Sequence, residues 1–238
     1  MTEGFNVAAE LAAVSDRADA WRFINGFVAH WREPVRDGDG CGFQELAEAE
    51  WRLGSPLPTA LWEAYGLFGR RGDLTSVQDS LVSLEHLSVD DGALVFRLEN
   101  QAVAEWAIRQ EHLEDDDPPV VFRRKDSDSD RWEPFLDRFS TACIEMVLSE
   151  SLFAHDETRA DNRPLEESET IDAPSGFQRL ALSNYPMWAV EGAVIRWFAS
   201  PDALLRVDAD EWLWALGLTA PALDSVRGSL PGDWITRP

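Results

Sequence analysis

Residues 94–123 constrain the fold more than any other part of the chain, because two strands and a reversal can be placed there from spacing alone. Leu94, Phe96 and Leu98 are each separated by one residue, and successive side chains of a strand point to opposite faces. This alternation predicts a strand whose single buried face carries all three apolar side chains. Residues 99–102, Glu-Asn-Gln-Ala, fit a chain reversal, since Asn tolerates turn dihedrals.

The chain is expected to return over residues 103–109 as the second strand of a β-hairpin. Trp106 and Ile108 are available there to pack on the apolar face of the first strand. Residues 111–117 follow and carry five carboxylates. They are expected to form a loop, which we call the acidic loop, because unpaired carboxylates are too costly to bury in the core. The two prolines at positions 118 and 119 favour extended backbone and lead into a third strand at residues 120–122.

The composition is that of a globular protein, since 45% of the 238 residues are hydrophobic and the chain contains 11 Trp and 12 Phe. No apolar run approaches the roughly 18 residues of a membrane-spanning helix. The N-terminus lacks the basic and apolar segments of a secretory signal. The two cysteines, Cys41 and Cys143, form neither a disulfide framework nor a CxxC site, so a reducing, cytoplasmic location fits best.

Charge is the strongest compositional signal, because 44 acidic residues against 21 Lys and Arg give a formal net charge of −23 at pH 7. Such a field repels nucleic acid and anionic membranes and attracts basic proteins. The alternative is that the charge serves solubility alone. The acidic loop leaves the same choice between a docking surface for a basic partner and a solvated turn. Its five carboxylates are the candidate partner-binding residues: Glu111, Glu114, Asp115, Asp116 and Asp117.

Elsewhere, hydrophobic spacing and turn residues predict a series of helices and strands. Helices are expected over residues 1–33, 43–54 and 137–153, with a closing helix after Thr219. A further short helix is expected to start at Pro58 and to end at Gly66 or Gly69. The helix over 137–153 carries apolar residues on more than one face, so both of its sides are expected to be covered. Strands are expected at residues 81–84, 177–183, 194–198, 203–207 and 212–216. Residues 155–176 are acidic and nearly devoid of apolar residues, which predicts a flexible linker.

Motifs for catalysis are absent from the sequence. It contains no nucleophile elbow, phosphate-binding loop, HExxH zinc motif or dinucleotide-binding motif. Four histidines occur, each isolated from other potential metal ligands: His30, His86, His112 and His155. The alternating Asp and Ser of residues 126–130 resemble the start of a calcium loop, but Arg131 and Asp137 stand where that loop needs Gly and Glu. We therefore expect no catalytic, cofactor-binding or metal-binding site.

The run from Glu48 to Gly66 resembles the opening of the SUKH superfamily, the Smi-one/Knr-four cell-wall regulator type. It combines a Glu-containing helix with Leu-Gly, then Leu-Pro, then a short helix that ends at Tyr and Gly. Three later segments are similar to a bacterial branch of the superfamily. They are residues 99–106 with Glu-Asn-Gln and Trp, residues 117–120 with Asp-Pro-Pro-Val, and the helix with Phe139-Ser140 before Glu145-Met146. The resemblance covers about residues 41–155.

The resemblance implies an α+β fold, in which a single domain has a mostly antiparallel β-sheet flanked by helices. That domain would comprise residues 41–238, after an N-terminal helical extension at residues 1–40. The resemblance also implies no catalysis, and it transfers no catalytic or contact residues. Many bacterial members are thought to be immunity proteins that bind and neutralise toxins, often nucleases, whereas fungal members act as regulatory scaffolds.

The expected function is therefore that of a non-enzymatic, cytoplasmic protein that binds a basic toxin domain, and neither nucleic acid nor a membrane. The alternative is a regulatory or scaffold module with a cellular partner. An enzyme ranks third, since no motif supports one.

Overall fold

The computed structural model describes residues 4–125, 131–154, 158–167 and 169–236. Seven α-helices lie in these ranges: α1 (Val7–Ala12), α2 (Arg17–Trp31), α3 (Phe43–Leu53), α4 (Thr59–Phe68), α5 (Gly72–Thr75), α6 (Phe139–Phe153) and α7 (Ala220–Ser229). The strands of the same ranges are β1 (Ser80–Leu81), β2 (Ser88–Asp90), β3 (Ala93–Leu98), β4 (Ala104–Arg109), β5 (Val120–Arg124), β6 (Glu133–Leu136), β7 (Ala160–Pro164), β8 (Gln178–Arg179), β9 (Tyr185–Pro186), β10 (Val194–Ala199), β11 (Ala203–Asp208) and β12 (Trp212–Gly217).

The described strands form two antiparallel sheets, which confirms the expected α+β class but divides the expected single sheet in two. The first sheet has the strand order β1-β3-β4-β5-β6, with β2 also paired to β3. The second sheet has the order β7-β12-β11-β10-β8, with β9 also paired to β10. Most connections in both sheets join strands that are neighbours in sequence, as expected for meanders.

The predicted hairpin is confirmed as β3 and β4, but the expected facing of β3 is wrong at its end. The pairing shifts between Val95 and Arg97, so that Phe96 is an extra residue in a β-bulge. Such a bulge breaks the alternation of side chains. As a result both Phe96 and Arg97 point towards helix α6, whereas Leu98 packs on the opposite side of the first sheet.

Helix α6 lies between the two sheets and is almost completely enclosed. Its residues are buried except for Thr141 and Phe153, which are half-buried. On one side the ring of Phe139 packs against Phe96 of β3, with 4.9 Å between ring centroids. On the other side the Phe153 ring lies 4.9 Å from Trp214 of β12. The prediction that both sides of this helix are covered is therefore confirmed.

The second sheet is covered on both faces. Alternate residues of its central strands face α6, and the others form a separate apolar cluster with helix α7. Leu223 and Val226 of α7 belong to this cluster, and Trp234 closes it. Helix α7 begins at the predicted cap, where the side chain of Thr219 accepts a hydrogen bond from the backbone N–H of Ala222.

The N-terminal segment forms two helices where one was expected. Asp16 interrupts the pattern, because its side chain accepts a hydrogen bond from the backbone N–H of Asp19 and starts α2 as a new helix. Apolar side chains of both helices, among them Leu11 and Phe27, belong to the same core cluster as α6. Residues 4–40 are therefore packed onto the rest of the fold.

The prediction of a flexible linker at residues 155–176 is wrong for residues 160–164, which form strand β7 at the edge of the second sheet. Asp161 and Arg163 are buried there. Asp161 Oδ2 lies 2.7 Å from Nη2 of Arg227, and Arg163 Nη2 lies 2.5 Å from Oε1 of Glu169. These ion pairs compensate the buried charges of a polar strand that the sequence pattern did not reveal.

Within the described ranges, no helix combines the length and the apolar character that a membrane crossing requires.

Candidate functional site

The acidic loop connects β4 to β5, and four of its five predicted carboxylates are exposed. Three of them are Glu111, Glu114 and Asp115, and the fourth is Asp116. Asp115 Oδ2 lies 2.8 Å from Nδ1 of His112, which stabilises the turn that begins the loop. These three side chains remain available for an electrostatic contact with a partner.

Two of the predicted carboxylates, the exposed Asp116 and the half-buried Asp117, hold helices in place. Oδ1 of Asp117 accepts a hydrogen bond of 2.8 Å from the backbone N–H of Ser140, and Oδ2 accepts one of 2.6 Å from its hydroxyl. Ser140 is the second residue of α6, so Asp117 supplies an N-terminal cap and a negative charge at the positive end of the helix. Asp116 Oδ1 accepts a hydrogen bond of 2.6 Å from the hydroxyl of Thr59, the first residue of α4.

Helix α3, which shares a helical hairpin with α4, exposes two large aromatic side chains. Leu46 and Ala49 fix the buried side of the helix. Trp51 is 86% exposed and Phe43 is 73% exposed, and they lie two turns apart on the outward side. Exposed aromatic residues of this size commonly anchor protein interfaces.

A cleft of about 610 Å³ lies beside Trp51, between α3 and the one-turn 3₁₀ helix Leu84–His86, which we call the 3₁₀ turn. We call it the α3 cleft. Its charged and aromatic lining residues include Glu45, Glu48, Trp51, Arg52, Arg70 and Glu85. It contains carboxylates on both walls, because Glu45 and Glu48 belong to α3 and Glu85 to the 3₁₀ turn.

Both arginines of the α3 cleft are engaged by groups of the protein itself. Arg52 donates hydrogen bonds of 2.7 Å to the backbone carbonyls of Leu84 and Leu87, which ties the 3₁₀ turn to α3. Arg70 Nη2 lies 2.5 Å from Oε2 of Glu45. Glu48 and Glu85 are exposed at the rim. Arg52 and Arg70 are exposed as well, but both are engaged by the contacts just described, so the carboxylates of Glu48 and Glu85 are the charges left for a partner.

Cys41 also lines the α3 cleft, but it is a poor candidate for a nucleophile. Burial raises the pKa of its thiol, and the Arg70 guanidinium opposes that effect only in part. The thiol is therefore protonated at neutral pH, whereas the thiolate is the reactive form.

A second cluster of charged groups lies inside the protein, around Arg97. We define the Arg97 cluster as Asp79, Arg97, Glu145 and Glu150. Arg97 lies 3.1 Å from Asp79, 2.9 Å from Glu145 and 2.8 Å from Glu150. Glu150 also accepts hydrogen bonds of 2.8 and 2.7 Å from the backbone N–H groups of residues 77 and 78.

The Arg97 cluster continues to the second sheet through helix α6. Ser149 donates a hydrogen bond of 2.6 Å to Glu145 and accepts one of 3.0 Å from Arg206 of β11. Arg206 in turn lies 2.6 Å from Asp208. All of these groups are buried and mutually hydrogen-bonded. The arrangement therefore joins the two sheets through α6 and serves the fold.

Neither the exposure of Trp51 nor the burial of Arg97 was predicted from the sequence. A signal existed for Trp51, since it lies off the apolar stripe that Leu46 and Ala49 share on α3. No comparable signal existed for Arg97, because its orientation depends on the bulge in β3.

No group of three or more His, Cys, Asp or Glu side chains in the described part of the chain is arranged to hold a metal ion. The calcium-like pattern at residues 126–130 lies outside the described residues.

Comparisons of the chain with protein-family models, with curated proteins and with solved structures found no match. The resemblance to the SUKH superfamily stays a prediction from the sequence.

Proposed function

We propose that this chain is a non-enzymatic cytoplasmic protein that binds and masks a basic protein, in the manner of an immunity protein that neutralises a toxin. The observation that carries the proposal is the distribution of charge between the interior and the surface. The protein has 23 more acidic than basic residues, and many of its arginines are held inside the fold.

Six arginines are buried and paired with carboxylates of this same chain: Arg97, Arg123, Arg163, Arg196, Arg206 and Arg227. Arg97, Arg123, Arg206 and Arg227 pair with buried carboxylates. The partners of Arg163 and Arg196, which are Glu169 and Asp210, are partly exposed. These six cations are withdrawn from the surface, and acidic side chains outnumber basic ones in what remains. Glu111, Glu114 and Asp115 of the acidic loop are examples of carboxylates directed into solvent.

A surface of this kind attracts basic proteins over long distances and repels nucleic acid. Such attraction raises the rate of association, and the effect falls as salt screens the charges. A nuclease that holds the phosphate backbone through a basic groove would meet a similar pattern of negative charge on this protein. Occupation of that groove is sufficient to block the nuclease and requires no chemical reaction.

The test is to purify the tagged full-length chain from its native host, identify the proteins bound in stoichiometric amount, and measure association with the identified partner at low and high salt. We expect a basic partner whose association slows markedly as salt rises. A toxin domain would favour neutralisation, whereas a cellular regulator would favour the scaffold alternative. A partner that associates at the same rate at all salt concentrations, or turnover of a small molecule by the purified chain, would overturn the proposal.

A matched pair of variants locates the electrostatic contribution of the acidic loop. Glu111→Gln/Glu114→Gln/Asp115→Asn removes three exposed charges. Arg22→Gln/Arg36→Gln removes two exposed positive charges and leaves the carboxylates in place. We expect the first variant to slow association at low salt and the second to leave it unchanged or to speed it up.

A further inference from the structure

We propose that the outward face of helix α3 and the α3 cleft dock an arginine-bearing segment of the basic partner, with Trp51 as the central contact. This inference rests on the proposed function and assigns its contact surface. The surface consists of Phe43, Glu48, Trp51 and, across the cleft, Glu85.

Trp51 projects from the fold into solvent. At 86% exposure it is the most exposed of the large apolar side chains in the described ranges, and the fold makes little use of its indole. Leu46 and Ala49 supply the buried side of the helix. Phe43 is also exposed, and the edge of its ring meets Trp62 of α4 with 6.1 Å between centroids. Two exposed rings on one short helix provide the apolar centre that protein interfaces require.

Two carboxylates, those of Glu48 and Glu85, lie near the indole of Trp51. Glu48 precedes Trp51 by three residues, so the two side chains are neighbours on the helix surface. Glu85 faces them from the 3₁₀ turn across the cleft. An arginine guanidinium can stack on an indole face and at the same time bind a carboxylate through two parallel hydrogen bonds. Lysine lacks this planar geometry, so arginine fits the site better.

The two arginines that line the same cleft are engaged by groups of the protein itself. Arg52 is fixed on two backbone carbonyls, and Arg70 is paired with Glu45. Arg52 is exposed, but its guanidinium is held against the 3₁₀ turn by these two bonds. Within the described ranges neither Glu48 nor Glu85 forms an ion pair with a Lys or Arg, and Glu85 lies 3.6 Å from His86. An incoming guanidinium at the rim would therefore meet these two carboxylates.

A second copy of this chain is a poor occupant of the same surface. Each copy carries a net charge of −23, and the rim carboxylates of two copies would face one another. The exposed rings alone would favour self-association, but the surrounding charge opposes it. A positively charged segment gains from both features, which is why we assign the surface to the basic partner.

The test uses a synthetic peptide of alternating arginine and glycine, with a citrulline–glycine peptide of the same length as the neutral control. Binding to the full-length chain is followed by NMR, through the indole N–H signal of Trp51, which is assigned from its loss in Trp51→Phe. We expect the arginine peptide to shift this signal and the citrulline peptide to leave it in place. We also expect Trp51→Ala and Glu48→Gln/Glu85→Gln each to weaken peptide binding by about tenfold.

The control is the loop variant Glu111→Gln/Glu114→Gln/Asp115→Asn, which leaves the α3 face intact and is expected to weaken peptide binding less than Trp51→Ala does. All variants change exposed side chains, and retained dispersion of the amide spectrum shows that each is folded. If the peptide binds with the Trp51 signal unmoved, or binds Trp51→Ala as tightly as the unaltered chain, the α3 docking surface is wrong while the proposed function stands. If no arginine peptide binds the unaltered chain, the proposed function itself is overturned.

Discussion

Nη2 of Arg97 lies 2.8 Å from Oε1 of Glu150, and both side chains are buried although they are 53 residues apart in the sequence. The same guanidinium binds Glu145 on α6 and lies 4.9 Å above the ring of Trp106 on β4. One arginine therefore connects the first sheet to the central helix. Its removal would leave several buried carboxylates without their cationic partner.

We expect Arg97→Met to destabilise the protein by about 3–5 kcal/mol, because unpaired buried charges cost that much. Urea unfolding, followed by circular dichroism, measures the change in free energy. The matched control is Arg22→Met, since Arg22 is exposed and pairs only with Asp19 on its own helix. We expect this control to change stability by less than about 0.5 kcal/mol. Equal unfolding midpoints for the two variants would contradict a structural role for the Arg97 cluster.

Asp79 should make stability fall as pH rises. Burial raises the pKa of this carboxyl from 3.8 to about 6, in spite of the attraction from Arg97. The folded state therefore binds the proton more tightly than the unfolded state does. This contribution is fully present below about pH 4 and is lost by about pH 6.

Asp79→Asn removes that titration. As the pH rises between those two values, the unaltered chain should lose stability that the variant keeps, so the difference in stability should shift in favour of the variant. The shift should be on the order of 1–3 kcal/mol. Urea unfolding at a series of pH values measures it. Asp73 supplies the opposite control, because its hydrogen bonds with Arg71 lower its pKa to about 2 and its contribution is lost only as pH falls. A pH-independent difference for Asp79→Asn would show that this carboxyl titrates normally.

Replacement of Asp117 by Ala should destabilise the protein by about 1–2 kcal/mol, because helix α6 would lose the cap that Asp117 provides for Ser140. Asp115→Ala is the matched control two residues earlier in the same loop, and we expect less than about 0.5 kcal/mol. Thermal unfolding distinguishes the two variants. If Asp115 proves the more costly to replace, the assignment of structural and exposed carboxylates in this loop is reversed.

Gly40 should not tolerate a side chain. A Cβ at this position would lie 1.7 Å from the backbone oxygen of Gly66. Either the backbone of α4 or that of the loop containing Gly40 would have to move. We expect Gly40→Ala to cost about 2–4 kcal/mol in the free energy of unfolding. At Gly72 a Cβ would meet no atom within 4 Å, so Gly72→Ala should be neutral or stabilising by less than about 1 kcal/mol. Comparable losses in the two variants would contradict the close approach at Gly40.

The parts of the fold that the sequence predicted are those fixed by local pattern. The β3–β4 hairpin, the closing helix after Thr219 and the meander of β10 to β12 follow from alternation, capping and turn residues over a few positions. The enclosure of α6 also followed from its sequence, because apolar residues surround the helix on more than one side.

The parts that the sequence did not predict depend on contacts between distant segments. Strand β7 is polar in sequence, and its buried charges are paired with Arg227 and Glu169, which lie far from it or beyond its end. The bulge in β3 depends on how β4 pairs with it, so Arg97 was expected on the outer face. Neither feature has a signature within one stretch of chain.

The candidate site was predicted in part. Composition identified an acidic surface and its loop, and the structure directs Glu111, Glu114 and Asp115 outward. Sequence could not separate these from Asp116 and Asp117, since a capping carboxylate is recognised only when the helix it serves is in place. The exposure of Trp51 was not predicted, although this residue lies off the stripe that Leu46 and Ala49 share on α3.

The position of helix α6 between the two sheets has a consequence for how this chain unfolds. A helix whose sides are divided between two sheets, through Phe96 on one and Trp214 on the other, cannot keep its packing when either sheet detaches. Detachment of one sheet would therefore remove half of the packing around α6, on which the other sheet also depends. For this reason the molecule should unfold in a single cooperative transition. A protease would accordingly find either the intact body or the fully unravelled chain, with no stable half-molecule in between.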